Sequence, residues 1–170
     1  AAAPCDPEPS ACESVTTTTG GGTTTTSTTM PSGGSILKGA LVPTVGRFNY
    51  NLSLGLPGAN SACNTNFTGT HACTYAELQS AAAAGDLVGL HDTASGVVTS
   101  FWAIDPTAAA LSQCNDDAMG GSGLNWEYGT AHTASRGQKV PLDNAAGTLG
   151  ALQTGLQCNF SGSSSVGCCQ

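Results

Sequence analysis

Eight cysteines in 170 residues constrain this chain more than any other feature: Cys5, Cys12, Cys63, Cys73, Cys114, Cys158, Cys168 and Cys169. Their number is even, and no two are spaced as the Cys-x-x-Cys of a redox or zinc site. A disulfide framework therefore outweighs a metal centre, and it implies an oxidising compartment. Cys5 and Cys12 close a small proline-containing loop far in sequence from the rest, and are expected to pair with each other. The other six would then form three bridges in the remainder of the chain. Adjacent Cys168 and Cys169 would strain the peptide between them if they bonded together, so each is expected to reach a different partner.

The charged fraction is 9%, against about 25% in ordinary soluble proteins. The surface must then be built from Thr, Ser, Asn, Gln, Gly and Ala. A net charge of −7 with only four basic residues argues against a nucleic-acid partner, which needs clustered Lys and Arg. It argues equally against anionic membrane surfaces. No apolar run approaches the ~20 residues of a membrane helix, so no membrane insertion is expected. The opening Ala1-Ala2-Ala3-Pro4, without an initiator Met, reads as a terminus left by signal cleavage at small residues. A secreted, extracellular location is expected, in a cell-surface filament.

Composition changes sharply at Ser35. Residues 1–34 comprise the head stapled by Cys5 and Cys12 and a Thr/Gly-rich arm; residues 35–170 form the globular, disulfide-rich part. There, SILKGALVPTVGRFNYNLSL reads as two short strands around Pro43, and GLPGANSACNTNF as a short helical turn opened by Pro57. CTYAELQSAAAAGD carries the clearest helix signal: Thr74 and Glu77 form a capping box, and Gly85 stands where a C′ residue belongs. DLVGLHD, TASG and VVTSFWAID read as strand, turn and strand. Asp105 and Pro106 can open a short helix. Residues 115–155 are expected to be mostly loop, and GLQCNFS and SVGCCQ to be closing strands. The class is α+β, small, disulfide-rich and loop-rich, with an extended N-terminal arm of β type.

The order GLPGANSAC, GTHACTYAEL, FWAI, CNDD, GLNWEYGTAHTASRG and CNFSGSSSVGCC resembles bacterial extracellular domains related to the C-type-lectin-like and endostatin group, over Gly46 to Gln170. In that group an early helix carries a Cys bonded to the last strand, and a second bridge staples the long loop region. The resemblance implies pairing of Cys63 or Cys73 with Cys168 or Cys169, and of Cys114 with Cys158. Sugar-binding members hold calcium through a Glu-Pro-Asn-type loop and a Trp-Asn-Asp run, and this chain has neither.

Candidate chemistry is sparse. Asp116–Glu127 has the length of a calcium loop, but Ala118 and Gly120 supply no side-chain oxygen where an EF-hand needs one, so a polar loop is the better reading. His71, His91 and His132 are dispersed, and no His-Glu-x-x-His or Gly-x-Ser-x-Gly element is present. No enzymatic role and no cofactor are expected. Trp102, in an apolar strand, reads as core. Trp126, between Asn125 and Glu127, is the better candidate for a ligand surface, together with Glu127 itself. Asn51, Asn66 and Asn159 begin Asn-x-Ser/Thr sequons. The denser carrier of sugar is the arm, whose Thr16, Thr17, Thr18, Thr19, Thr23, Thr24, Thr25, Thr26, Thr28 and Thr29 have the composition of an O-glycosylated stalk.

The arm raises a physical question. Fixing each residue costs on the order of 1–2 kcal/mol, and threonine side chains bury too little to offset that. A sheet edge would supply the compensation, because Thr favours extended backbone and a ladder satisfies each N–H and C=O. Extended at ~3.3 Å per residue, Ser10 to Ser35 could span roughly 80 Å. The expectation is a fibre or pilus-like subunit whose arm adds a strand to the next copy. Such a contact is head-to-tail and open-ended, with other copies of the chain as partners. The alternative is a secreted lectin-like module, binding glycans, with the arm as a glycosylated linker.

Overall fold

Alternation of side chains along two short strands organises this chain, as a computed structural model of it shows. The structure describes residues 35–109, 112–115, 125–127, 136–158 and 163–170, all within the unit Ser35–Gln170. The expected Cys5–Cys12 bridge, the threonine arm, residues 116–124 of the candidate calcium loop, His132 and Asn159 lie outside the described residues.

The strands are β1 (Leu37–Ala40), β2 (Asn49–Tyr50), β3 (Ser53–Leu54), β4 (His71–Ala72), β5 (Ser100–Trp102), β6 (Arg136–Asp143), β7 (Thr148–Leu149), β8 (Gln153–Gln157) and β9 (Gly167–Cys169); the helices are α1 (Gly55–Asn66) and α2 (Tyr75–Ala84). Strand β9 lies between β1 and β4, antiparallel to both. Strand β6 is central to the larger sheet, with β5 on one side and β7 and β8 on the other. Mixed strands, two helices and three disulfides make a small disulfide-rich α+β fold.

Helix α2 forms for local reasons. The Thr74 hydroxyl accepts from the Glu77 N–H, and the Glu77 carboxylate accepts from the Thr74 N–H, completing a capping box. Gly85 ends the helix at φ 82°, a left-handed conformation that glycine adopts without steric penalty. Helix α1 is a full 12-residue helix where the sequence suggests only a turn. Pro57 falls in the first turn, where backbone N–H groups have no intrahelical acceptor, so its ring removes nothing. Packing supplies the rest: a Cβ on Gly58 would come within 2.1 Å of the Ser53 carbonyl oxygen, so the helix seats directly on β3.

Two further expectations are corrected. Asp105 opens a turn instead of a helix: its carboxylate accepts from the Thr107 N–H and hydroxyl, and its carbonyl from the Ala108 N–H. These short local bonds compete with helix propagation. Within 115–155, expected to be loop, lies β6, the longest strand. Pro141 argues against a central strand because it cannot donate to a ladder. Here the flanking Leu142 N–H donates to Thr99, and the Pro141 carbonyl accepts from Gly150, so the ladder continues around it.

The core divides in two. One cluster holds Leu41, Phe48, Cys63, Trp102, Ile104, Trp126 and Cys168. The other holds Leu37, Cys73, Leu78, Leu87, Phe101, Val140 and Cys169. Successive side chains of a strand point to opposite faces. Phe101 and Trp102 of β5 therefore enter different clusters, and so do Cys168 and Cys169 of β9. Cys168 bonds Cys63 of α1, and Cys169 bonds Cys73, just before α2. The vicinal cysteines thus clamp one strand to both layers.

Candidate functional site

Trp126 and Glu127 do not form an aromatic ligand surface. Trp126 is 0% exposed; it takes the core position usual for a Trp in a small disulfide-rich domain, and the candidate ligand surface fails. Its ring stacks on Phe48 at 5.0 Å between centroids and tilts against Trp102 at 5.4 Å. The polar neighbours that suggested a surface loop, Asn125 and Glu127, remain half-buried. At φ 62° the left-handed backbone of Trp126 turns the indole inward between them. The Trp126 backbone N–H donates to the Gln113 carbonyl and its carbonyl accepts from the Phe48 N–H, so tertiary bonds hold this uncommon conformation. Trp102 lies in the same core, with its indole N–H donating to the Thr44 carbonyl at 2.7 Å.

The third disulfide, Cys114–Cys158, backs this aromatic cluster. A Cβ on Gly137 would lie 2.8 Å from the Cys114 sulfur and 3.0 Å from the Trp102 ring, so only glycine lets β6 pass so close. All six cysteines beyond Ser35 are therefore bonded among themselves. None is left to reach Cys5 or Cys12.

Of the sequons within the described residues, Asn51 sits at the tip of the β2–β3 hairpin, exposed, with φ 53°. Its neighbour Leu52 is 96% exposed. Asn66 ends α1, and its side-chain amide donates to the Ala62 carbonyl.

The titratable groups serve local structure. The Glu77 carboxyl would be raised by burial, but hydrogen bonds from the Thr74 N–H and hydroxyl, and from His71 at 2.9 Å, hold it below the ordinary glutamate value. Asp86 accepts from the N–H groups of Ile36 and Leu37 at the start of β1. His91 bonds the Gly89 carbonyl through Nδ1. Burial, reinforced by the Asp92 charge, pushes the Tyr50 hydroxyl up, and it donates to the Val42 carbonyl. Among the described residues, no group of three or more His, Cys, Asp or Glu could hold a metal ion.

Strand edges are the remaining candidates. The outer side of β1 is taken where Ala40 accepts from Thr93, and that of β5 where Ser165 bonds both Ser100 and Trp102. Asn60 caps the Ala72 N–H of β4. Strands β7 and β8 together form the returning arm of a hairpin on β6, and β8 pairs with no other strand. Residues 151–155 are exposed. Beside this arm an open groove of about 450 Å³ runs between α2 and β7, lined by Tyr75, Gln79, Ala82, Thr148 and Leu149. Among the described residues no helix is long and apolar enough to cross a membrane. The chain matches no protein-family model, and no curated protein and no solved structure was found to be similar to it.

Proposed function

We propose that this chain is a structural subunit of an extracellular fibre, assembling head-to-tail through its arm, residues 1–34. One observation carries the reading. The body closes its six cysteines on itself, so no disulfide of that set ties the arm down. No bridge of the body therefore stands against the arm serving a second copy. Its composition suits addition to a sheet, and the stretch from Ser14 to Gly34 holds no charged residue. The three disulfides also fit an oxidising location. The lectin-like alternative is weakened, because the indole on which its ligand surface rested is enclosed.

Deleting residues 1–34 is the test. The capping-box helix and all three bridges lie beyond the cut, so the body should keep its fold by circular dichroism. Negative-stain microscopy should show filaments from the full chain and single particles from the truncated one. Excess arm peptide should cap growing ends, and added salt should leave assembly intact because the donor has no charge to screen. Filaments of unchanged repeat from the truncated chain would end this reading. A lectin module would lose only reach on truncation and keep its sugar binding.

A further inference from the structure

Strand edges that meet solvent are normally blunted by lysine, proline or cover from another segment. The returning arm of the long hairpin, Thr148–Gln157, reads TLGALQTGLQ and contains neither a charge nor a proline. Its inner side is laddered to β6 through Leu142–Leu149, Lys139–Gln153 and Arg136–Gln157. On the outer side, residues 151–157 make no backbone hydrogen bond to other described residues. The edges of β1, β4 and β5 are occupied, so this is the one long open edge among the described residues. Its register with β6 shifts twice, across residues 150–152 between the two strands and again near Gly155, at φ 68°; space beside that glycine is empty to 4 Å.

We infer that the edge Thr148–Gln157 is the acceptor for the arm of a second copy, which adds to it as an extra strand. This rests on the reading of the arm as donor. The seven residues Thr23–Thr29 are free of glycine, proline and charge, with Gly20–Gly22 before them and Pro31 soon after. Extended, they cover roughly 23 Å at ~3.3 Å per residue, which matches the length of β8 with its approach from β7. Neither partner brings a charge into the new ladder. The bulge at Gly155 interrupts the edge and so restricts the registers a foreign strand can take. The groove along β7, with Tyr75 and Leu149 on its walls, gives threonine methyl groups a place to pack.

A photo-crosslinking residue, p-benzoylphenylalanine, placed at exposed position 154 in the full chain tests this directly. The first Lys or Arg of the chain is Lys38, so trypsin releases the donor as one peptide, residues 1–38. Assembling a mixture of isotopically heavy and light chains should give crosslinked peptides of mixed mass, joining position 154 of one copy to residues 1–38 of another. Crosslinks that are never mixed would place the arm on its own body, and crosslinks to any other peptide would remove the edge as acceptor; either overturns the inference. In parallel, Thr154→Lys changes an exposed side chain and should leave the thermal midpoint unchanged while abolishing filaments. If arm deletion abolishes filaments and Thr154→Lys does not, the donor reading survives and this acceptor is wrong. If the full chain forms no filaments, both fall.

Discussion

The two halves of the core stand on opposite faces of β5 and β9, and they are held by different means. On the α2 side the packing is mainly aliphatic, with Leu37, Leu78, Leu87, Val98 and Val140 around Phe101. Its helix is specified within a dozen residues by its own caps. On the α1 side three aromatic rings meet, Phe48 stacked on Trp126 and Trp102 tilted against it. They come from positions up to 78 residues apart (126 − 48), and the Cys114–Cys158 disulfide joins the same cluster. One half forms from local signals, and the other only once distant segments have met. The bridges follow the contrast only in number: two, Cys63–Cys168 and Cys114–Cys158, lie in the α1 half and one, Cys73–Cys169, in the α2 half.

The largest expected effect lies on the aromatic side. Trp102→Ala should cost about 3–5 kcal/mol from lost burial and the cavity left behind, with loss of the Thr44 hydrogen bond in addition. Leu78→Ala, equally buried on the other side, should cost about 2–5 kcal/mol and fall below Trp102→Ala. Chemical denaturation of both variants makes the measurement. A larger loss for Leu78→Ala would place the centre of stability in the α2 half.

The bridges come next. Removing Cys114–Cys158 by a double change to alanine should cost about 2–5 kcal/mol. Loop-closure entropy depends on the logarithm of loop length, so separations of 44, 96 and 105 residues differ by only roughly 0.8 kcal/mol. What should differ is where the damage appears. Loss of Cys114–Cys158 should alter tryptophan fluorescence, while loss of Cys73–Cys169 should leave it nearly native. Equal fluorescence changes in the two variants would mean the halves are not separable.

A smaller effect tests local specification. Thr74→Ala removes the cap and should cost about 1 kcal/mol. The sign of its pH dependence follows from Glu77. Its carboxyl sits below the ordinary value of 4.5 in the folded chain, so the stability it lends is present above that value and is lost as pH falls through the lower folded one. The gap between Thr74→Ala and the parent chain should therefore be full at neutral pH and shrink in acid. Denaturation curves at both conditions decide it; a gap that widens in acid would contradict the capping box as the source.

The same contrast governs what could be read beforehand. The helix α2, its cap and its stop were legible because a Thr, a Glu and a Gly within twelve residues specify them. The full length of α1 was not, since Gly55, Pro57 and Gly58 lower its propensity and only contact with β3 overrides them. Strand β6 was hidden by Pro141, whose cost is met by neighbours far along the chain. Trp126 misled most. Polar residues on both sides suggested solvent, and nothing local announces that a left-handed backbone will turn the ring inward. For the proposed assembly, the donor reading of the arm rests on local composition, whereas the open edge depends on which strands pair, and that is long-range information.

The smallest expected effect separates two tryptophans that share one core. The indole N–H of Trp102 donates to Thr44, whereas that of Trp126 is buried with no partner among the described residues. A buried donor without an acceptor costs about 1–3 kcal/mol. Replacing Trp126 by phenylalanine removes that donor and leaves a modest void, itself worth on the order of 1 kcal/mol at ~24 cal/mol per Å³. The two terms oppose, so Trp126→Phe should fall within about 1 kcal/mol of the parent chain. Trp102→Phe creates the same void and breaks a hydrogen bond that was made, although the Thr44 carbonyl keeps its bond from the Ser164 N–H. Its cost should reach roughly 2 kcal/mol or more. Thermal denaturation of the two variants side by side gives the ordering. Equal losses would mean that the Trp126 indole N–H is satisfied in solution, as by an internal water.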